Sequence, residues 1–403
     1  MLVRMPNPSL FAESPESVGV DSGRLNAVFE RVEKEVREGL LPSAQVAVAR
    51  NGRIAGMRTF GNVRHEGRPA PATNDTLYVV FSATKAITSA AGWLLIQEGK
   101  LDTSERVAEI VPEFGGHGKD GITVEQLFTH TAGFPHAPFR PTEFLDRDKR
   151  LARFATWRLN WEPGSRFEYH PSSSMYVIAE IIERRGGASF GDFVRRRIAE
   201  PLGLPDLWTG LPRALHARLA DCVHVGEALT DEEYRRLGFP PPPVTEVTEE
   251  AIESFNDPDV RIAGIPGGGG TMTAAELALF YQALLDGGRA LAGVEVWRPE
   301  TLALARRVRT GELLDPMFGK RVHRGLGIVV AGDRDRTFRG FGHTNSPEAF
   351  GHNGAGGQLA WADPATGLSL GYCTDGHDRN VVRQGRRGVG IASRAAACAV
   401  SAG

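Results

Sequence analysis

Strand-forming patterns stand at the two ends of this 403-residue chain, and helical patterns fill the stretch between them. Near the start, Ala44 to Ala49 and Arg53 to Thr59 read as two strands joined by Asn51-Gly52, a turn whose two positions both tolerate positive φ. Toward the end, Gly325 to Val330, Gln358 to Asp363 and Leu368 to Thr374 read as short strands. Apolar spacing predicts helices over Ser82 to Glu98, Thr123 to Phe128, Ser174 to Arg185, Phe190 to Ile198 and Ala274 to Leu285. A further amphipathic helix, Ser22 to Leu40, precedes the first strand, and another, Val381 to Val400, follows the last. The implied class is α+β: an antiparallel sheet made by both chain ends and flanked by helices, with an all-α insertion. The expected lobes are residues 1–90 with 265–403 for the sheet and 91–264 for the helical part, with the ligand cleft between them.

Charge and cysteine usage narrow the function. Lys+Arg (47) nearly balances Asp+Glu (49), so no global basic field exists to hold a nucleic acid, and the Arg383 to Arg387 run reads as solvated surface. Cys222, Cys373 and Cys398 lack C-x-x-C spacing, which argues against a disulfide framework and a zinc site and fits a reducing compartment. The eleven histidines show no H-E-x-x-H, so neither metal nor cofactor is expected. Met1 to Glu16 contains no apolar run of signal-peptide length. The charge-poor stretch Thr76 to Gln97 holds Lys85 and several Ser/Thr, which disfavours a membrane span. A cytoplasmic location is the expectation, and Pro240 to Pro243 reads as a surface linker.

One pair of residues carries a chemical signal. Ser82 and Lys85 lie i, i+3 at the start of a helix that follows a strand-like Thr76 to Phe81, in the only S-x-x-K of the chain. Lys85 is the only charged residue between Asp75 and Glu98, and an amine among apolar neighbours has its charged form disfavoured, which suits it to act as base for a serine hydroxyl. The Ser82 N–H at the helix head suits an oxyanion. Tyr169, within Pro163-Gly164-Ser165-Arg166-Phe167-Glu168-Tyr169-His170-Pro171, is a candidate proton shuttle. Gly351-His352-Asn353-Gly354-Ala355-Gly356-Gly357 permits close backbone approach to a substrate.

In that order, Ser82-Ala83-Thr84-Lys85, Pro163-Gly164 with Tyr169, and His352-Asn353-Gly354 resemble the three motifs of the serine β-lactamase and penicillin-binding protein superfamily, class C branch, closest to the family VIII carboxylesterases. The similarity covers roughly Ser22 to Gly376. The resemblance implies a β-lactamase-like fold with Ser82 as acylated nucleophile, Lys85 as its activating partner and Tyr169 as general base. It further implies an oxyanion hole from the N–H groups of Ser82 and Ala355, and a substrate pocket lined by His352, Asn353 and Gly354. His352 would bond toward Tyr169. The family's second motif is commonly Y-x-N, but Pro171 stands in the third position and offers no amide, so Ser172 or Ser173 is the substitute.

His352 replaces the lysine of K-T-G, which removes a fixed positive charge and implies weaker recognition of substrate carboxylates. Hydrolysis of a small carboxylic ester through an acyl-enzyme is therefore the expected activity. The alternatives are amide hydrolysis (weak β-lactamase or D-amino-acid amidase action), acyl transfer, or a silent ligand-binding homologue. His130 is expected to stabilise a loop bordering the cleft, and Thr142 to Thr156 and Glu227 to Ser254 to shape the pocket.

Overall fold

The computed structural model describes residues 10–238, 241 and 246–400, so Met1 to Ser9 and most of the expected proline linker lie outside the described residues. Asp21 caps α1 (Ser22–Arg37) by accepting from the Arg24 N–H, and its apolar stripe Leu25, Val28, Phe29 and Val32 is buried. The hairpin β1 (Ser43–Arg50) and β2 (Arg53–His65) turns at Asn51 (φ 53°) and Gly52 (φ 71°), both left-handed as the Asn-Gly pair predicts. β3 is Arg68–Pro71. The later strands are β4 (Val329–Val330), β5 (Phe350–Gly351), β6 (Leu359–Asp363) and β7 (Leu368–Thr374).

All seven strands form one antiparallel sheet in the order β4-β5-β6-β7-β1-β2-β3, and β1 pairs with β7 from Ala44 opposite Thr374 to Arg50 opposite Leu368. Side chains alternate across it as the pleat requires. Ala44, Val46, Val48, Leu359, Trp361, Leu368, Leu370 and Tyr372 face α1 and α5 (Val381–Ala396) in one apolar cluster. Ala47, Ala49, Ala360 and Ala362 face the other way, and these small side chains let α4 (Ala274–Asp286) lie against the sheet.

That second cluster continues through α2 (Thr84–Gln97) into α3 (Ser173–Gly186), so sheet and helical region share one core. α2 is apolar all round and buried from Thr84 to Leu95. Burying a large apolar side chain contributes about 1.5–3 kcal/mol, and Ile87, Leu94, Leu95 and Trp93 together offset the several kcal/mol that burial of a charged amine costs.

Two expected strands are shorter than their patterns. Of Thr76 to Phe81, Tyr78–Val79 form the strand and Leu77 makes a lone bridge to Leu219, while Phe81, with its positive φ, ends the extended run; of Gly325 to Val330 only the last two residues pair, because Gly327 (φ 75°) turns the chain back. The last helix stops at Ala396, after which Ala399 bridges to Val20. The three cysteines are unpaired and buried. Among the described residues no helix is long and apolar enough to cross a membrane.

Candidate active site

Ser82 stands where a short strand turns into a helix. Tyr78–Val79 pairs with Thr271 and Met272, Phe81 then adopts φ 44°, and Phe81–Ala83 forms a 3₁₀ turn that runs into α2. Such a backbone costs on the order of 1–3 kcal/mol. Edge contacts of the Phe81 ring with Phe255 (5.0 Å) and His377 (4.7 Å) hold it in place.

Lys85 has no exposed surface. Its Nζ donates to the Pro171 carbonyl at 2.6 Å, to the Gly267 carbonyl at 2.7 Å and to Ser82 Oγ at 3.2 Å. Each of the three ammonium hydrogens thus has an acceptor. A neutral amine keeps both carbonyl bonds and turns its lone pair toward the serine hydroxyl, as a base must. The expected apolar surroundings are corrected here: two backbone carbonyls meet the amine, one of them from the proline that offered no amide. The segment carrying Gly267 is tied to α2, since Thr84 Oγ1 accepts from the Gly270 N–H at 2.8 Å and Thr88 donates to the Pro266 carbonyl at 2.6 Å.

The half-buried Tyr169 ring is surrounded by Lys85 Nζ at 5.1 Å from its centroid, the Arg324 guanidinium at 5.3 Å, and the rings of His130 and His352 at 4.7 and 6.0 Å. His130 holds the Tyr169 segment as expected: its carbonyl accepts from the Glu168 N–H (3.3 Å) and its Nδ1 from the His170 N–H (3.2 Å). His170 is neutral with both nitrogens engaged, Nδ1 toward the Glu168 carbonyl and Nε2 toward the Phe134 N–H, and burial lowers its pKa to about 3.

His352 differs from its expectation. A carbonyl only accepts, so Nδ1 donates to the Asn353 carbonyl (2.9 Å), and Nε2 then accepts from Arg324 Nη1 (3.0 Å). Both nitrogens are occupied and neither reaches Tyr169. Burial, reinforced by the charges of Arg324 and Lys85, holds the imidazole pKa well below its ordinary value. The fixed positive charge expected to be absent is therefore present, delivered by Arg324.

Of the two serines after Pro171, Ser172 lines the pocket and donates to Glu246 Oε1 at 2.6 Å, whereas Ser173 is buried and donates to the Phe134 carbonyl at 3.0 Å. Ser173 is corrected to a structural role. Asn353 is corrected likewise: its amide donates to the Gly340 carbonyl (2.8 Å) and accepts from the Ala360 N–H (3.1 Å), which fixes the loop. Gly354 does not line the pocket; a Cβ there would lie 2.2 Å from the Val80 carbonyl, two residues before Ser82.

That close approach brings Ala355 beside Ser82 in the wall of a pocket of about 230 Å³. Both residues occupy the opening of 3₁₀ turns, where N–H groups have no intrahelical acceptor. Phe81, Phe139, Tyr176, Ile252, Phe255 and Ile265 give the pocket an apolar interior. The expected shaping loops contribute Glu246 to Ser254 directly, while Phe139 and Pro141 enter just before the other loop. A larger cavity of about 480 Å³ around Arg150, Phe190 and Trp208 contains none of the site residues.

Sequence reading missed Arg324, Glu246 and the carbonyls of Pro171 and Gly267. Backbone carbonyls carry no residue signature, and Arg324 and Glu246 lie on irregular segments with no motif around them.

Fold and site together define a serine β-lactamase-like hydrolase. A Beta-lactamase family model matches residues 28–392, and the chain belongs to that family. A penicillin-binding protein homolog from Caulobacter crescentus is similar in structure, with a TM-score of 0.75 and 30% identity over 94% of this chain and 99% of that one. A family VIII carboxylesterase has a TM-score of 0.75 and 27% identity over 94% and 99% of the two chains. An Escherichia coli (strain K12) protein that carries the name of a D-alanyl-D-alanine carboxypeptidase is 26% identical, over 90% of this chain and 85% of its own length.

Proposed function

We propose that the protein hydrolyses small carboxylic esters through an acyl-enzyme on Ser82. The observation that carries this reading is the contact of Lys85 Nζ with Ser82 Oγ at 3.2 Å, beside an apolar pocket that also reaches Ala355. Ser82 Oγ attacks the ester carbonyl while Lys85 and Tyr169 take its proton, and the oxyanion sits between the N–H groups of Ser82 and Ala355. The tetrahedral species collapses with loss of the alkoxide, which takes the proton from Tyr169. Water, deprotonated by the phenolate so formed, attacks the acyl carbonyl, and the acid leaves as Ser82 Oγ takes back a proton from the Lys85–Tyr169 pair. The likeness to a family VIII carboxylesterase supports the ester as substrate.

Brief exposure to an activated p-nitrophenyl ester, followed by intact mass and sequencing of the modified peptide, tests the assignment. One acyl group on Ser82, absent in Ser82→Ala, is expected. Acylation elsewhere, or none in the folded protein, would leave a ligand-binding role.

A second reading draws on Arg324. Its charge stands on the Tyr169 side of the nucleophile, where a leaving group is protonated, and suits a leaving group that bears a carboxylate. Cleavage of a C-terminal D-amino acid has that requirement, and a relative bears the carboxypeptidase name. Faster turnover of D-alanyl-D-alanine peptides than of neutral esters would favour it.

A further inference from the structure

Among the described residues that line the pocket beside Ser82, Glu246 is the only charged one. Its Oε1 accepts from Ser172 Oγ at 2.6 Å, and Ser172 follows the proline whose carbonyl receives Lys85 Nζ at 2.6 Å. The carboxylate is thus anchored one residue from the proline that meets Lys85. Crowding by the pocket walls pushes its carboxyl above the ordinary glutamate range although one side stays open to solvent, and the Lys85 charge is the first ionic effect that opposes this. Phe81, Phe139, Tyr176 and Phe255 also line the pocket, with Phe139 and Tyr176 stacked at 3.8 Å.

A carboxylate at the solvent-exposed mouth of a pocket with aromatic walls is the chemistry that recognises an alkylammonium, through a charge-assisted hydrogen bond at one end and cation–π contact along the sides. We propose that Glu246 makes this pocket selective for acyl groups that end in an ammonium. The proposal rests on the reading of Ser82 as the acylated residue. In that reading Glu246, held by Ser172, meets the acyl group, and Arg324, beside Tyr169, meets the leaving group.

The test compares p-nitrophenyl esters of 4-(aminomethyl)phenylacetic acid and 4-ethylphenylacetic acid, which differ in NH3+ against CH3 and cannot cyclise. In the wild type, kcat/KM for the ammonium ester is expected to exceed that for the neutral one by about tenfold. Glu246→Gln, which keeps the shape and the acceptor for Ser172, should bring the ratio near one. Glu246→Lys should reverse the order in favour of the 4-carboxyphenylacetate ester, a gain that a structural role for Glu246 would not produce. Acylation of Ser82 by both esters at similar rates in the wild type, or a ratio unmoved by Glu246→Gln, overturns the selectivity and leaves the esterase reading standing. Absence of Ser82 acylation by either ester overturns both.

Discussion

The Arg324 guanidinium donates to Nε2 of His352 across 3.0 Å, and the pair flanks the Tyr169 ring. The imidazole therefore works as a neutral acceptor that orients a cation, a different task from that of the lysine it replaces. Arg324→Met should lower kcat/KM for an ester with a carboxylate on its leaving group about tenfold more than for a neutral ester. Equal losses would mean that the charge serves only the fold. His352→Lys, expected from sequence alone to favour carboxylates, should instead set two cations side by side and lower the melting temperature.

Lys85→Ala should reduce turnover of p-nitrophenyl acetate about 10³-fold or more, because the partner of the nucleophile is lost. It should also cost about 1–3 kcal/mol of stability for each carbonyl left buried without a donor, at Pro171 and Gly267. Steady-state kinetics with thermal denaturation separates the two effects, and near-normal turnover would remove Lys85 from the mechanism.

Gly354→Ala places a methyl 2.2 Å from the Val80 carbonyl, so backbone must move against backbone. The expected cost is about 1–3 kcal/mol, together with weaker acylation, since the same displacement carries Ala355 away from Ser82. Unchanged acylation in a destabilised variant would separate the loop from the oxyanion site.

Stability should depend on pH through two opposed effects. His170 and His377 are buried and lowered from 6.5 to about 3 by desolvation, so below about pH 6.5 the unfolded chain takes up protons that the folded one refuses, and stability falls with pH down to about 3. Asp375 is raised by burial from 3.8 to about 7, so between those values the folded protein holds a proton that the unfolded chain has released, and stability falls as pH rises. Asp375→Asn removes only the second effect. Its melting temperature relative to wild type should climb from pH 4 to 7 and level off above; a constant gap would show that Asp375 is not the titrating group.

The parts of the site legible in the sequence are those whose function and position share a residue. Ser82 and Lys85 meet because three residues of helix bring them together, and Ala355 follows from its place in a glycine-rich turn. Arg324 escaped notice because Gly327 reverses what reads as continuous strand, and that reversal depends on packing against α2, where a Gly327 Cβ would meet Ser89. Pro171 lacks the side-chain amide of the asparagine it replaces, while its contribution is the carbonyl that every residue has. Asn353 and Ser173 have the right chemistry for a substrate and are drawn off by backbone groups closer to hand.

The pairing of β1 with β7 has a bearing on biogenesis. Arg50 leaves the ribosome more than 300 residues ahead of its partner Leu368, a delay of roughly 15 to 60 s at 5–20 residues per second. For that interval one margin of the nascent hairpin has no strand to bond, and such margins recruit other chains. Yield in the cell should accordingly track the supply of holdase chaperones during synthesis more closely than it tracks the equilibrium stability of the finished molecule.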